Sequence, residues 1–436
     1  MSRVMIDSGV EWIGKVPENW KIERMKNCIA SRTAGAWGEE AQNQEGDCIC
    51  IRIADFDYDR MTVKKADNYT VRNYSSEVIN RLQLKKGDIL IEKSGGGEKT
   101  PVGRTIIFNE DYDAVYSNFI EKLTVRDIVL PEFMQYIFVV FYKNRYTWNY
   151  IKQTTGIQNL DISSMLSKER VAIPKIDEQQ RIVNYLNDKC SAIDNVIDKT
   201  NASIDDYQKL RKSIVVKAVT KGLNENVPMK KTDSDWIGEI PAHWDYVRIQ
   251  RLFEEIDERN EDEDALLLSL YTSIGVKPRN ELEERGNKAV TVINYKKVKQ
   301  NDIIVNKLLA WMGAIGYSDY EGVTSPDYDV YRAKKGANVV RTYYNEYFRH
   351  TCFNGDCYKY GHGIMLMRWR TYPEELLRIK VPNPPKEEQE AIAKYLEEKC
   401  FEIDKLIEKK QAFIEEMEQY KKSLIYEYVT GKKNVE

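Results

Sequence analysis

Histidine is scarce: three occur in 436 residues. His350 and His362 lie near Cys352 and Cys357, but the spacings fit no standard zinc pattern. No Ser/His/Asp constellation can be assembled either, which argues against nucleophilic catalysis. No apolar run is long enough to span a bilayer. Met1-Ser2-Arg3-Val4-Met5 leads into polar sequence, so no signal peptide is expected. Seven cysteines, an odd number without a regular framework, suit free thiols in a reducing cytosol, and a cytoplasmic location is expected. A basic excess is missing as well: 66 Lys and Arg face 69 Asp and Glu, for a net charge of −3. Any nucleic-acid face must therefore be local or shared with a partner. What is present is 42% apolar residues, enough for real cores, and 31% charged residues, which suits long solvated helices. The length suggests two to four domains.

The chain repeats itself. Glu178-Gln179, Tyr185-Leu186, Lys189-Cys190, Ile193-Asp194, Ile197, Lys199, Ile204 and Lys212-Ser213 recur 210 positions later as Glu388-Gln389, Tyr395-Leu396, Lys399-Cys400, Ile403-Asp404, Ile407, Lys409, Ile414 and Lys422-Ser423. Each copy predicts a long helix with a heptad seam. Val183, Leu186, Cys190, Ile193, Ile197 and Ile204 lie on one stripe; Leu396, Cys400, Ile403, Ile407 and Ile414 lie on the other. Polar residues enter both seams at matching slots, Thr200 with Lys410 and Arg211 with Lys421, which would fix register at some cost in stability. About 40 residues at ~1.5 Å each make a rod of roughly 60 Å.

A second repeat precedes each helix. Trp12-Ile13-Gly14-x-x-Pro17-x-x-Trp20 returns as Trp236-Ile237-Gly238-x-x-Pro241-x-x-Trp244, a turn with two aromatic anchors. Between Trp motif and helix lies a strand-rich stretch. Strands are predicted at Cys48–Ile53, Gly87–Ile91 and Arg104–Phe108, then at Ala289–Ile293 and Asp302–Val305, with a helix from Pro131. Landmarks correspond: Gly87-Asp88-Ile89 with Asn301-Asp302-Ile303, Ser117-Asn118-Phe119 with Ser325-Pro326-Asp327, Thr155-Gly156-Ile157 with His362-Gly363-Ile364. The expected organisation is an N-terminal segment and first globular unit over 1–173, a helix over 174–224, a linker and second unit over 225–381, and a helix over 382–436. Two copies related by a pseudo-twofold would place their helices antiparallel.

In this order the motifs resemble the specificity subunits of type I restriction–modification enzymes. The resemblance covers nearly the whole chain and rests on the two Trp motifs, the two helix starts Ile176–Leu186 and Lys386–Leu396, and the Gly-Asp-Ile and Thr-Gly-Ile landmarks. It implies an α+β fold: two similar target recognition domains separated by two long antiparallel coiled-coil helices. It also implies a chain without catalytic activity that reads a bipartite site in double-stranded DNA. Methyltransferase subunits, two of them, and a restriction and translocase subunit would be the partners. No cofactor is expected on this chain; S-adenosylmethionine, ATP and Mg belong with the partners. The coiled-coil and partner positions are Leu186, Ile193, Ile197, Ile204, Leu396, Ile403, Ile407 and Ile414.

Reading DNA without chemistry needs base-edge donors and acceptors plus cations on the phosphates. In the first unit the candidates are Lys93, Ser94, Gly95, Gly96, Lys99, Arg104, Asn118, Gln153, Thr155, Gln158 and Asn159. In the second they are Lys307, Trp311, Ser325, Arg332, His362 and Arg368, with Lys359 nearby. Two motifs fall short of chemistry. Lys93–Thr100 lacks phosphate-loop spacing, and Glu98 would repel a phosphate. Asn383-Pro384-Pro385-Lys386 resembles an adenine methyltransferase motif without its aromatic, at a place where proline opens a helix. A self-contained DNA-modifying enzyme, or a coiled-coil scaffold with no nucleic-acid role, are the alternatives.

Overall fold

Both Trp motifs fold into the same hairpin. Met5–Asp7 pairs antiparallel with Lys15–Pro17, and Met229–Lys231 pairs in the same register with Glu239–Pro241. Gly14 and Gly238 turn the chain at φ of +69° and +70°, where a side chain is strained. The computed structural model describes residues 3–153, 156–272, 274–281, 291–363 and 369–435. The chain forms two packing units. Unit 1 is Met1–Asn201 with Gln411–Glu436; unit 2 is Ala202–Lys410. Each thus combines one strand-rich stretch with a part of both long helices.

Unit 1 is built on an antiparallel sheet of β1 (Ile29–Ala34), β2 (Asp88–Glu92), β3 (Thr105–Phe108) and β4 (Ile120–Val125), ordered β3-β2-β4-β1. Strand β2 is buried along its whole length, so its alternating side chains serve two cores. Ile89 and Ile91 pack toward Phe133 and Ile137 of α1 (Pro131–Lys143). Leu90 faces Cys50, Val115 and Tyr116 on the other side. A smaller sheet joins Ser94–Gly95, β5 (Ile151–Gln153) and β6 (Gln158–Leu160).

Unit 2 repeats this plan with β7 (Phe253–Ile256), β8 (Ile303–Asn306), β9 (Ile315–Tyr317) and β10 (Tyr328–Ala333), ordered β9-β8-β10-β7. Ile303 and Val305 enter one core and Ile304 the other. The lead-in to the central strand is also preserved. Asp88 accepts a bond from the Lys85 amide, and Asp302 from the Lys299 amide, both at 2.8 Å. Gly87 and Asn301 precede them at positive φ. One expectation needs correction. Of the strand predicted at 289–293, residues 289 and 290 lie outside the described residues, and 291–293 enter a turn. There the Thr291 hydroxyl accepts the Ile293 amide, and Asn294 adopts φ +63°.

The long helices are α2 (Ile176–Lys221) and α3 (Lys386–Val429). Within unit 1, Leu186, Cys190 and Ile193 pack with Leu424, Ile425 and Tyr428. Within unit 2, Val215 and Val219 pack with Ile392, Leu396 and Cys400. The pairing is antiparallel in both. Tyr185 meets Tyr428 at 4.6 Å between ring centroids, while Asp194 meets Lys421 at 2.7 Å. In unit 2 Arg211 meets Asp404 at 3.0 Å, and Lys410 lies over the Tyr207 ring. Arg211 and Lys421, at matching seam slots, thus each take the aspartate that follows a seam isoleucine in the other repeat. Ile204 and Ile403 are buried; Ile197, Ile407 and Ile414 are half-buried.

The Glu-Gln pair that opens each helix fastens it to the Trp motif. Trp20 Nε1 donates to Glu178 at 3.1 Å, and Trp244 Nε1 donates to Glu388 at 2.8 Å. Gln179 is fully buried; it accepts the Leu130 amide and donates to the carbonyls of Ile128 and Pro174. Gln389 repeats this with Val340, Asn338 and Pro384. Each helix ends on a glycine at positive φ. A Cβ on Gly222 would lie 3.0 Å from the Trp244 ring, and one on Gly431 only 2.4 Å from Pro17 Cδ. Among the described residues, no helix is long and apolar enough to cross a membrane.

Candidate nucleic-acid interface

In unit 1 the Gly-rich loop and the amide-rich segment meet. Ser94 pairs with Asn159 and Gly95 with Gln158. Gly95 and Gly96 take φ of +121° and +68°, and a Cβ on Gly96 would lie 2.6 Å from the Val102 amide. Only glycine fits there. Buried Gln158 accepts that amide at 3.1 Å, and the Ser94 hydroxyl donates to Asn159 Oδ1 at 2.6 Å. Ser94 and Gln158 therefore shape the loop. Lys99, Asn118, Gln153 and Asn159 are exposed on its rim, with Lys93 half-buried. Lys93 and Lys99 have no carboxylate partner among the described residues. Thr155, like Thr154, lies outside the described residues.

The expectation for Arg104 changes. Its guanidinium bonds Glu92, the closest contact at 2.8 Å, and lies 3.6 Å over the Tyr58 ring. The Tyr58 hydroxyl donates to the same carboxylate. Burial, then the Glu92 charge, push the Tyr58 phenol far up, so it remains a donor. Arg104 thereby neutralises a buried carboxylate instead of reaching out to a phosphate. Beside it opens a cleft of about 610 Å³ that Lys64, Lys99 and Lys143 share with Asp57, Asp59, Tyr58 and Tyr142. Sequence reasoning missed Lys64 and Lys143, since nothing local marks lysines that only the fold gathers.

In unit 2, Lys307 directly follows β8 and Ser325 precedes β10, as Lys93 follows β2 and Asn118 precedes β4. These four candidates thus lie at the same end of equivalent sheets. Trp311 faces Tyr358, which stacks on Trp369 at 5.1 Å, and exposed His362 packs on Tyr372. Lys307 lies 3.3 Å from buried Asp329 and shares it with buried Lys296. Arg332 is corrected more fully. It sits at the opposite end of β10, bonding Asp302 through two nitrogens at 2.8 Å each, so it braces the sheet. The Asp302 bonds, with lesser help from Glu258, raise its already high pKa against the opposing effect of burial. Arg368 lies outside the described residues; Lys359 pairs with Asp235 at 3.0 Å.

The other motifs resolve into packing. Cys352 and Cys357 are buried in the core of unit 2, and burial pushes the Cys352 thiol up to about 11. His350 lies 3.6 Å from Glu346. Among the described residues no group of three or more His, Cys, Asp or Glu could hold a metal. Asn383 is buried at the end of the strand Lys380–Asn383, just before α3, bonded to the Tyr344 hydroxyl and to Gln389. It therefore presents no edge to a flipped base.

Residues 17–204 match the type I restriction modification DNA specificity domain. The sequence is 26% identical over 439 residues to a Methanocaldococcus jannaschii chain named as the specificity subunit of the type I restriction enzyme MjaX, covering 96% of this chain and 95% of that one. The chain is similar to type I restriction specificity subunits along nearly its whole length. A second family member of that organism, the MjaVIII specificity subunit, is 25% identical over 317 residues, with 67% and 69% coverage. The fold agrees with the family. A solved chain from work on assembly and conformational transition of the type I R-M system superposes with a TM-score of 0.68 at 13% identity, over 95% of this chain and 98% of that one. The HsdS subunit of Thermoanaerobacter tengcongensis gives 0.51, also at 13% identity, over 96% and 98%.

Proposed function

We propose that this chain, as a specificity subunit, reads a bipartite, asymmetric site in double-stranded DNA, one half-site per strand-rich unit, and has no catalytic activity of its own. The observation that carries the proposal is the shared placement of candidates at one end of two equivalent sheets, with different side chains in each. Equivalent placement suits two similar docking modes; different side chains suit two different half-sites. In unit 1, Lys93 and Lys99 would take phosphates, and Asn118, Gln153 and Asn159 base edges. Lys64 and Lys143 extend the cationic track. In unit 2, Lys307, Trp311, Ser325 and His362 take the corresponding place. The paired helices would set the distance between half-sites and dock two methyltransferase subunits, with a restriction and translocase subunit joining the assembly. S-adenosylmethionine, ATP and Mg would be bound by those partners in the cytoplasm.

The test is expression with and without the partner methyltransferase in a host lacking DNA methylation, followed by mapping of modified bases. Methylation only with the partner, at an asymmetric two-part motif, is the expected result. Methylation by this chain alone would overturn the non-catalytic reading.

A further inference from the structure

The turn Ser117–Ile120 joins Ala114–Tyr116 to β4 and closes with the Ile120 amide on the Ser117 carbonyl at 3.0 Å. Its tip is Asn118-Phe119. Such tips favour Gly, Asn, Asp and Ser. Phe119 is instead 44% exposed, whereas Phe56, Phe108 and Tyr116 of the adjoining core are buried. The exposure is not fraying. The Phe119 carbonyl accepts the Lys93 amide at 2.8 Å and the Ser94 amide at 3.3 Å, which ties the tip to the root of the Gly-rich loop. A large apolar ring is thus held in water on a fixed backbone, beside an amide, Asn118, and a lysine, Lys93, without a carboxylate partner among the described residues.

Resting on the proposed DNA-reading role of unit 1, we infer that Phe119 reads the C5-methyl group of a thymine in the half-site of that unit. In the major groove only thymine presents an apolar group beside its hydrogen-bonding edge. A rigid apolar tip flanked by an amide and a cation matches that mixture. The equivalent turn of unit 2 closes with the Tyr328 amide on the Ser325 carbonyl at 2.9 Å and carries Pro326-Asp327. With no aromatic at that tip, this methyl dependence belongs to one half-site alone.

The test uses the assembled complex with its methyltransferase and duplexes carrying the mapped site, with affinity read by fluorescence anisotropy. Each thymine is replaced in turn by deoxyuridine, which removes only the methyl group. One replacement, in one half-site, should weaken binding by about fourfold, the factor a buried methyl group gives. Phe119→Ala should bind thymine and uracil duplexes equally, and Phe119→Leu should restore the difference. Insensitivity to every uracil, as a ring wedged between base pairs would give, overturns the inference; so does a uracil penalty that persists in Phe119→Ala. A complex that recognises no bipartite site overturns the proposed function itself, an outcome distinguishable from both.

Discussion

Buried Asp356 has the Ser234 hydroxyl as its hydrogen-bond partner, at 2.8 Å and 2.9 Å. Burial, against the Ser234 bond, raises its pKa from 3.8 to about 6. Because the folded value lies above the unfolded one, the associated stability is complete below about pH 4 and is lost as pH rises through about 6. Asp356→Asn should therefore stabilise the protein at pH 8 by about 1–3 kcal/mol, with the gain gone by pH 4; urea midpoints at the two pH values measure it. Gln179 makes the opposite case. Truncating it to Ala strands a buried amide and two carbonyls, and should cost about 2–4 kcal/mol, read as a lowered urea midpoint. At this scale the sequence was only partly legible. The recurrence of Trp20 with Trp244, and of Glu178 with Glu388, was visible, but not that each tryptophan bonds its glutamate, because a repeat marks equivalence and not contact. Arg104 and Arg332 had the right chemistry for phosphates. What removed them was a buried carboxylate brought alongside by strand pairing.

The long helices were the easiest elements to foresee, because a 3.5-residue apolar period sustained over many turns has one structural solution. The strand expected at 289–293 failed where a β-branched run met a turn built by Thr291 and Asn294, a competition that propensity does not decide. Polar slots in the seam now have partners. The Lys421–Asp194 pair is mostly shielded, and Lys421 also bonds the Asp59 carbonyl, whereas Arg211–Asp404 is more open. Lys421→Met should cost about 1–3 kcal/mol and Arg211→Met less, since a stranded, shielded aspartate is the dearer loss. Exchanging the charges with Asp194→Lys and Lys421→Asp together should recover part of what either change loses alone. Thermal unfolding of the four proteins checks this, and a double variant no better than the worse single would refute the pairing as a register device.

For the whole molecule, a net charge of −3 leaves little non-specific attraction to DNA. The isolated chain should bind its site weakly, with affinity falling steeply as salt rises, and the methyltransferase should raise it. Titrations at several salt concentrations, with and without the partner, test this; tight, salt-insensitive binding by the chain alone would count against it. If the helices set the half-site distance, a heptad inserted at matched places in both adds roughly 10 Å, about three base pairs. Methylation mapping should then show a longer unread spacer between unchanged half-sites.

The fastening of each helix start has one more consequence. Gln179 and Gln389 hold the neighbouring segments almost wholly through main-chain groups, which every residue except proline supplies in full. These fastening bonds are therefore largely indifferent to which side chains those segments carry. The two segments that meet at each helix start can exchange side chains and keep the bonds that fasten it, so long as their packing is kept.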